Sequence, residues 1–66
     1  MKNRIRVERA ELGLTQEQVA EKIGVSRQTI NAIEKGRYAP SVVLALKLAR
    51  LFGKRVDDIF ELETDD

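Results

Sequence analysis

The fold of this chain is decided by the stretch Thr15–Ile33, T-Q-E-Q-V-A-E-K-I-G-V-S-R-Q-T-I-N-A-I. At its start, Thr15 and Gln18 have the spacing of a capping box, in which each side chain bonds the other residue's backbone N–H. Gly24 is placed to end this helix in a left-handed conformation, and Ser26 is placed to cap a second helix. The inner faces of both helices carry apolar residues at helical spacing: Val19, Ala20, Ile23, Ile30 and Ile33. The pattern predicts two short helices joined by a tight turn.

Two structures fit such a pair of helices. A plain helical hairpin occurs in bundles with no ligand, whereas a helix-turn-helix places its second helix against DNA. The small side chain of Ala20 permits a close crossing of the two helices. The fixed spacing of cap, alanine, glycine and second cap favours the helix-turn-helix, because a generic hairpin does not need it. We therefore predict a DNA-binding motif over residues 16–35.

Composition limits the alternatives. The chain has 66 residues, no Cys and no His, and four isolated glycines. We expect one domain (residues 1–66), no metal site, no cofactor and no enzymatic activity, since neither a nucleophile–base set nor a phosphate-binding glycine loop is present. We also expect no membrane segment, no small-molecule ligand domain and a cytoplasmic location.

Charge is distributed unevenly along the chain. All 12 Lys and Arg lie in residues 1–55 with five Glu, a net charge of +7, whereas residues 56–66 carry six carboxylates and no base. This asymmetry predicts a basic body that meets DNA phosphates and an acidic end that lies away from them. A solvated tail that only aids solubility explains the same carboxylates equally well.

The remaining periodicity predicts an all-α, compact five-helix domain. Asn3 is the expected cap of the first helix, and Ser41 the cap of the fourth. Gly13, Gly36 and Gly53 mark helix ends, and Pro40 belongs to a loop. The predicted helices are Asn3–Leu12, Gln16–Ile23, Arg27–Lys35, Val42–Phe52 and Val56–Phe60.

Apolar residues exceed what so small a bundle can bury. The fourth helix is apolar nearly all round, so the fifth helix, a second subunit or both must cover it. We predict a homodimer whose interface lies in residues 56–63, although these side chains could instead complete the core. The proposed interface residues are Val56, Ile59, Phe60 and Leu62.

Functional roles follow from helix geometry. Side chains at the start of the third helix enter the major groove, where Arg reads guanine and Gln reads adenine. The predicted base contacts are Arg27, Gln28, Thr29, Asn31 and Ala32. Gln16 and Ser26, at the starts of two helices, are predicted to bind phosphate. Arg27 could instead be a solvated cation or a phosphate contact.

The segment from Ile5 to Ser41 resembles helix-turn-helix regulators of the Cro/phage-repressor type, the XRE class. The whole chain is similar to short stand-alone members typified by the cytolysin repressor. This resemblance implies a lambda-repressor-like domain that binds double-stranded DNA as a homodimer, with a short antiparallel pairing of the two termini. It also implies an ion pair between Arg9 and Glu34.

The same resemblance implies phosphate contacts from the loop after the third helix, at Lys35, Arg37 and Tyr38. Lys35 could alternatively complement the C-terminal end of that helix. Glu8 departs from the family, whose members usually carry Leu at this position, and Val7 is the expected substitute in the core. The most favoured function is a regulator, expected to be a repressor of a pseudo-palindromic operator. The alternative is a protein-interaction module such as an antitoxin or adaptor.

Overall fold

A computed structural model describes all residues from 1 to 66. Its elements are β1 (Lys2–Asn3), α1 (Ile5–Glu11), α2 (Gln16–Ile23), α3 (Arg27–Glu34), α4 (Val42–Phe52), α5 (Val56–Ile59) and β2 (Phe60–Glu61). None of the helices is long and apolar enough to cross a membrane. The five predicted helices are therefore present, accompanied by a two-stranded sheet.

The helix-turn-helix forms where the sequence predicts it, except that α3 ends at Glu34 and the predicted last residue, Lys35, is its C-cap. Thr15 Oγ1 accepts a bond from the Gln18 N–H (3.1 Å), and Gln18 Oε1 accepts one from the Thr15 N–H (2.9 Å), which completes the capping box. Gly24 ends α2 with a φ of 79°, in the left-handed region. The hydroxyl of Ser26 then accepts from the Thr29 N–H at the start of α3. Local capping signals thus fix both helices.

The termini pair as the family resemblance implied. β1 and β2 are antiparallel, with Lys2 opposite Glu61 and Asn3 opposite Phe60. This pairing shortens two predicted helices, because Asn3 and Phe60 adopt strand conformation rather than helix. The first helix therefore begins at Ile5, and the prediction of Asn3 as its cap is wrong: Arg4 holds the cap position, although the Asn3 side chain still accepts a bond from the Ile5 N–H.

The core contains twelve buried apolar residues drawn from every helix and from β2. Helix α4 packs against α2 and α5. Glu8 is the only charged residue that is buried, at 4% exposure, whereas Val7 is 43% exposed. The expectation that Val7 replaces the usual Leu is therefore wrong: α1 turns position 8 toward the core, and the carboxylate occupies it. Arg4 Nε and Lys54 Nζ lie 3.8 and 3.9 Å from its oxygens.

The C-terminal apolar residues are divided between core and surface. Ile59 and Phe60 are 1% and 9% exposed, because the β1–β2 pairing closes this end of the core over them. Their prediction as the apolar centre of a dimer is therefore corrected: they belong to the chain's own core. Leu62 is 76% exposed, and Val56 is half-buried. The exposed apolar residues of α4 are Val42, Val43 and Leu46.

Candidate nucleic-acid interface

The start of α3 presents two free polar side chains. Arg27 and Gln28 are both exposed, and neither forms a hydrogen bond or ion pair with another side chain. Their backbone N–H groups also lack a backbone acceptor, as expected in the first turn of a helix. The opposite face of the same helix is fixed by Ile30 and Ile33, which are 0% and 1% exposed. A rigid helix therefore presents an unpaired cation and an unpaired amide to solvent.

Ser26 and Thr29 lie beside this end and bond each other. Their hydroxyl oxygens are 2.9 Å apart, and the Ser26 oxygen also accepts from the Thr29 N–H. One of the two hydroxyl protons is used in the mutual bond, so one remains available to a ligand. Ser26 is predicted to bind phosphate and Thr29 a base, and only one hydroxyl proton of this pair is left to donate to either.

A polar cleft of about 250 Å³ brings together four of the predicted contact residues: Gln16, Arg27, Gln28 and Asn31. Gln16 and Asn31 are half-buried within it, and Asn31 Nδ2 donates to Gln16 Oε1 at 3.3 Å. Ala32, on the adjoining surface of α3, is half-buried as well. The structure thus groups one predicted phosphate contact with three predicted base contacts.

Behind the cleft, the ion pair predicted between Arg9 and Glu34 is present. Arg9 Nε lies 3.0 Å from Glu34 Oε2, and Arg9 Nη2 lies 3.3 Å from Oε1. The arginine side chain is 19% exposed and the glutamate 7%. Arg9 Nη1 also donates to the carbonyl oxygen of Leu14, and Gln16 Nε2 donates to Glu34 Oε1. The pair therefore joins α1, the turn before α2, and the end of α3.

A second anchor of α3 was not foreseen from the sequence. Asn3 Nδ2 donates to the carbonyl oxygen of Ile33 at 2.7 Å, across 30 residues of chain. The same oxygen also accepts from the Gly36 N–H at 2.9 Å, so the bond from Asn3 is a second bond to this carbonyl and ties the last turn of α3 to β1. The contact depends on the position of β1, so no local sequence pattern could have indicated it.

The loop after α3 is exposed. Lys35, Arg37 and Tyr38 all lie at the surface, and none of their side chains forms a hydrogen bond or ion pair within the chain. Gly36 has a φ of 73°, which turns the backbone away from the helix. Two cations and a phenol are thereby available on one short loop.

The acidic end lies beside this loop rather than away from it. Asp66 lines a cleft with Arg37 and Tyr38, and Glu63 lines another with Lys35. The Met1 amino group holds this C-terminal tail (residues 62–66) beside the loop, and lies 3.0 Å from Glu63 Oε1 and 3.1 Å from Asp66 Oδ1. The expectation that the tail lies remote from the predicted phosphate contacts is therefore wrong, because the β1–β2 pairing returns the C-terminus to the end of α3.

These contacts shift two terminal pKa values. Hydrogen bonding to the Glu63 carboxylate, and then to that of Asp66, raises the pKa of the Met1 amino group. The backbone N–H of Glu63 donates to Asp66 at 2.7 Å and, together with the Met1 amino group, lowers the pKa of the Asp66 carboxyl. Both shifts favour the charged forms, and hence the docked tail, near neutral pH.

Comparisons with known proteins agree with the helix-turn-helix structure of α2 and α3. Residues 5–59 match the helix-turn-helix family model. The chain is 56% identical over 66 residues to an uncharacterized HTH-type transcriptional regulator of Methanocaldococcus jannaschii, with both chains covered completely. It is 39% identical over 57 residues to the cryptic phage CTXphi transcriptional repressor of Vibrio cholerae, covering 86% of this chain and 51% of that protein.

The fold also matches a solved structure. The restriction-modification controller protein C.AhdI of Aeromonas hydrophila superimposes with a TM-score of 0.78 and 33% identity, covering 86% of each chain. The family match spans the core helices, the free end of α3 and the Arg9–Glu34 pair. Members of this family are not typically enzymes. The chain belongs to the XRE-type helix-turn-helix family and is a transcriptional regulator with a DNA-binding domain.

Proposed function

We propose that this protein is a cytoplasmic repressor that binds a specific, pseudo-palindromic operator as a homodimer, with α3 in the major groove. One observation carries the proposal: Arg27 and Gln28 are free and exposed at the start of a helix whose other face is locked in the core. In this position Arg27 donates two bonds to guanine O6 and N7, and Gln28 exchanges bonds with adenine N6 and N7. Thr29, Asn31 and Ala32 complete the base-reading surface.

Phosphate contacts flank this surface. The backbone N–H groups of residues 16 and 17 have no acceptor within the chain, and they lie at the positive end of the α2 dipole. The hydroxyls at Ser26 and Thr29 add one donor, and the loop of Lys35, Arg37 and Tyr38 adds two cations and a phenol. These groups set affinity and register, because phosphate contacts carry no base identity.

Repression requires no surface beyond those described. A dimer bound across a promoter excludes the polymerase from the same DNA, so occupancy itself is sufficient. The likeness to the phage repressor supports this role, since that protein is named for it.

The homodimer is supported by apolar surface that the single chain leaves uncovered. Val42, Val43 and Leu46 on α4 are 76%, 63% and 56% exposed, and Leu62 is 76% exposed. Val42, Val43 and Leu46 lie within about one turn of each other on α4, and an exposed apolar helix face is typical of interfaces between subunits. Two-fold pairing would place the two α3 helices about 34–36 Å apart, one turn of DNA, as a palindromic operator requires.

The dimer is tested by replacing one exposed side chain. Leu46→Glu should yield a folded monomer with weaker operator binding, because position 46 lies outside the core and its charge resists burial. Sedimentation velocity gives the mass and circular dichroism checks the fold. An unmodified protein that is monomeric at tens of micromolar, yet binds its operator fully, would overturn the dimer.

Base reading is tested by selecting DNA from a random pool with the purified protein. Arg27→Ala or Gln28→Ala should weaken the selected site by about 1–3 kcal/mol and relax preference at one or two base pairs. Lys35→Ala or Arg37→Ala should weaken all sequences alike and flatten the salt dependence. If Arg27→Ala leaves both strength and sequence unchanged, α3 does not read the DNA as proposed.

A further inference from the structure

Gln16 is bonded at both ends of its side-chain amide. Its Nε2 donates to Glu34 Oε1 at 3.3 Å, and its Oε1 accepts from Asn31 Nδ2, also at 3.3 Å. It therefore connects a nearly buried carboxylate, 7% exposed, to a predicted base contact in the polar cleft. A residue that only bound phosphate would not need either bond.

The direction of these bonds is set by chemistry. A carboxylate held by Arg9 is ionised and can only accept hydrogen bonds, so Gln16 must turn its NH₂ group toward Glu34. Its carbonyl oxygen then faces Asn31, and only the NH₂ group of Asn31 can answer it. The Arg9–Glu34 pair thus fixes the amide orientation of Asn31 on α3, through the two hydrogen bonds that Gln16 forms.

This orientation decides what Asn31 offers to DNA. One of its two Nδ2 protons is used by Gln16, whereas the other proton and Oδ1 have no partner within the chain. One donor beside one acceptor is the pattern that asparagine uses to bond adenine N7 and N6 in the major groove. Holding the side chain in advance also removes the loss of rotamer freedom that binding would otherwise cause.

We infer that Gln16 is a positioning residue for Asn31, and that the relay Arg9–Glu34–Gln16–Asn31 makes Asn31 specific for adenine at one operator base pair. This inference rests on the proposed function and adds a specificity determinant to it. The side chain of Gln16 acts through Asn31, and the free backbone N–H at position 16 remains available to a phosphate.

The experiment measures base preference in variants of the full chain. Each purified protein selects DNA from the same random pool, and affinities are then measured for the selected site and for its three substitutions at each position. Asn31→Ala should lower the preference for adenine at one base pair by about tenfold or more. Gln16→Met keeps the length of the side chain but removes the amide, and should lower the preference at that same base pair at least about threefold.

The double variant Gln16→Met/Asn31→Ala should show no further loss of preference there, because both changes break one linked contact. Gln28→Ala is the matched control: it should affect a different base pair, and its effect should add to that of Gln16→Met. Thermal melting of each variant checks that the fold is retained.

Other results would contradict either the role of Gln16 or the proposed function. If Gln16→Met weakens every sequence alike, or its effect adds fully to that of Asn31→Ala, then Gln16 does not position Asn31 and the inference fails. If the unmodified protein enriches no sequence at all, the proposed function fails instead, so the two failures are distinguishable.

Discussion

Removing Glu34 is the sharpest test of the contacts that hold α3, the helix proposed to read DNA. Its carboxylate accepts three hydrogen bonds, two from Arg9 at 3.0 and 3.3 Å and one from Gln16 at 3.3 Å. Glu34→Ala deletes all three and leaves the Arg9 guanidinium, 19% exposed, with only the Leu14 carbonyl oxygen as partner. The variant therefore strands a mostly buried charge.

The expected cost lies between two known limits. Breaking a fully buried ion pair costs about 3–5 kcal/mol, whereas an exposed pair contributes about 1 kcal/mol or less. Because Arg9 keeps some access to water and one hydrogen bond, we expect about 3 kcal/mol, the lower end of the buried range. At about 4–8 °C per kcal/mol for a domain of this size, Tm should fall by roughly 12–24 °C.

Urea denaturation followed by far-ultraviolet circular dichroism measures this cost. Glu21→Ala is the matched control, since Glu21 is an exposed helical carboxylate without an ion-pair partner, and it should change stability by no more than about 0.5 kcal/mol. The double change Arg9→Met/Glu34→Leu should recover most of the loss, because no charge is then stranded. A loss below about 1 kcal/mol for Glu34→Ala alone would refute the reasoning.

Three further predictions concern stability and the tail. Glu8→Leu should leave the free energy of unfolding in urea unchanged or raise it by up to about 2 kcal/mol, because the carboxylate is buried with no ion-pair atom nearer than 3.8 Å and both of its partners are exposed. Gly24→Ala should cost about 1–2 kcal/mol in the same assay through backbone strain alone, since φ is 79° and nothing lies within 4 Å of an added Cβ. The pKa of the Met1 amino group is raised, so the contribution of this group to tail docking is complete below pH 8.0, its ordinary pKa, and is lost as pH rises through the folded-state pKa. The pKa of the Asp66 carboxyl is lowered, so the contribution of that group is present above pH 3.8, its ordinary pKa, and is lost as pH falls through the folded-state pKa. Nuclear magnetic resonance titration of the Glu63 amide should therefore show the docked tail only between these limits, and a signal that does not change across both would contradict the prediction.

Elements fixed by local chemistry could be predicted from the sequence. The bounds of α2 and α4 agree with those expected, because each begins at a side-chain cap and ends at a left-handed glycine. Elements that depend on distant parts of the chain could not be located this way. The predicted start of the first helix and end of the fifth differ from the structure by two residues and one residue, because the pairing of β1 with β2 competes with helix formation at both ends of the chain. The family resemblance, rather than any local pattern, indicated that pairing.

The two wrong predictions about the C-terminal residues have the same origin. The excess of apolar residues over the expected core predicts Ile59 and Phe60 in a dimer interface, yet with a two-residue strand pair both are buried within the single chain. The charge asymmetry of the sequence predicts that the acidic tail lies away from the proposed phosphate contacts, but charge counts carry no positional information. Its true place beside Arg37 follows from the same strand pair, which returns the C-terminus toward the end of α3.

The position of α3 depends on polar anchors as well as on the apolar core. Ile30 and Ile33 set how deeply the helix packs, but apolar contact is non-directional and does not by itself fix where the helix sits along its axis. Directional bonds to other elements hold its C-terminal half: Asn3 bonds the carbonyl of Ile33, Arg9 holds Glu34, and Gln16 bonds Asn31. A displacement near 1 Å would lengthen these bonds beyond their useful range and would also displace Arg27 and Gln28, the proposed base contacts. Changes at Asn3 or Arg9, which lie outside the proposed base-reading surface, should therefore alter the sequence preference of this regulator as well as its stability.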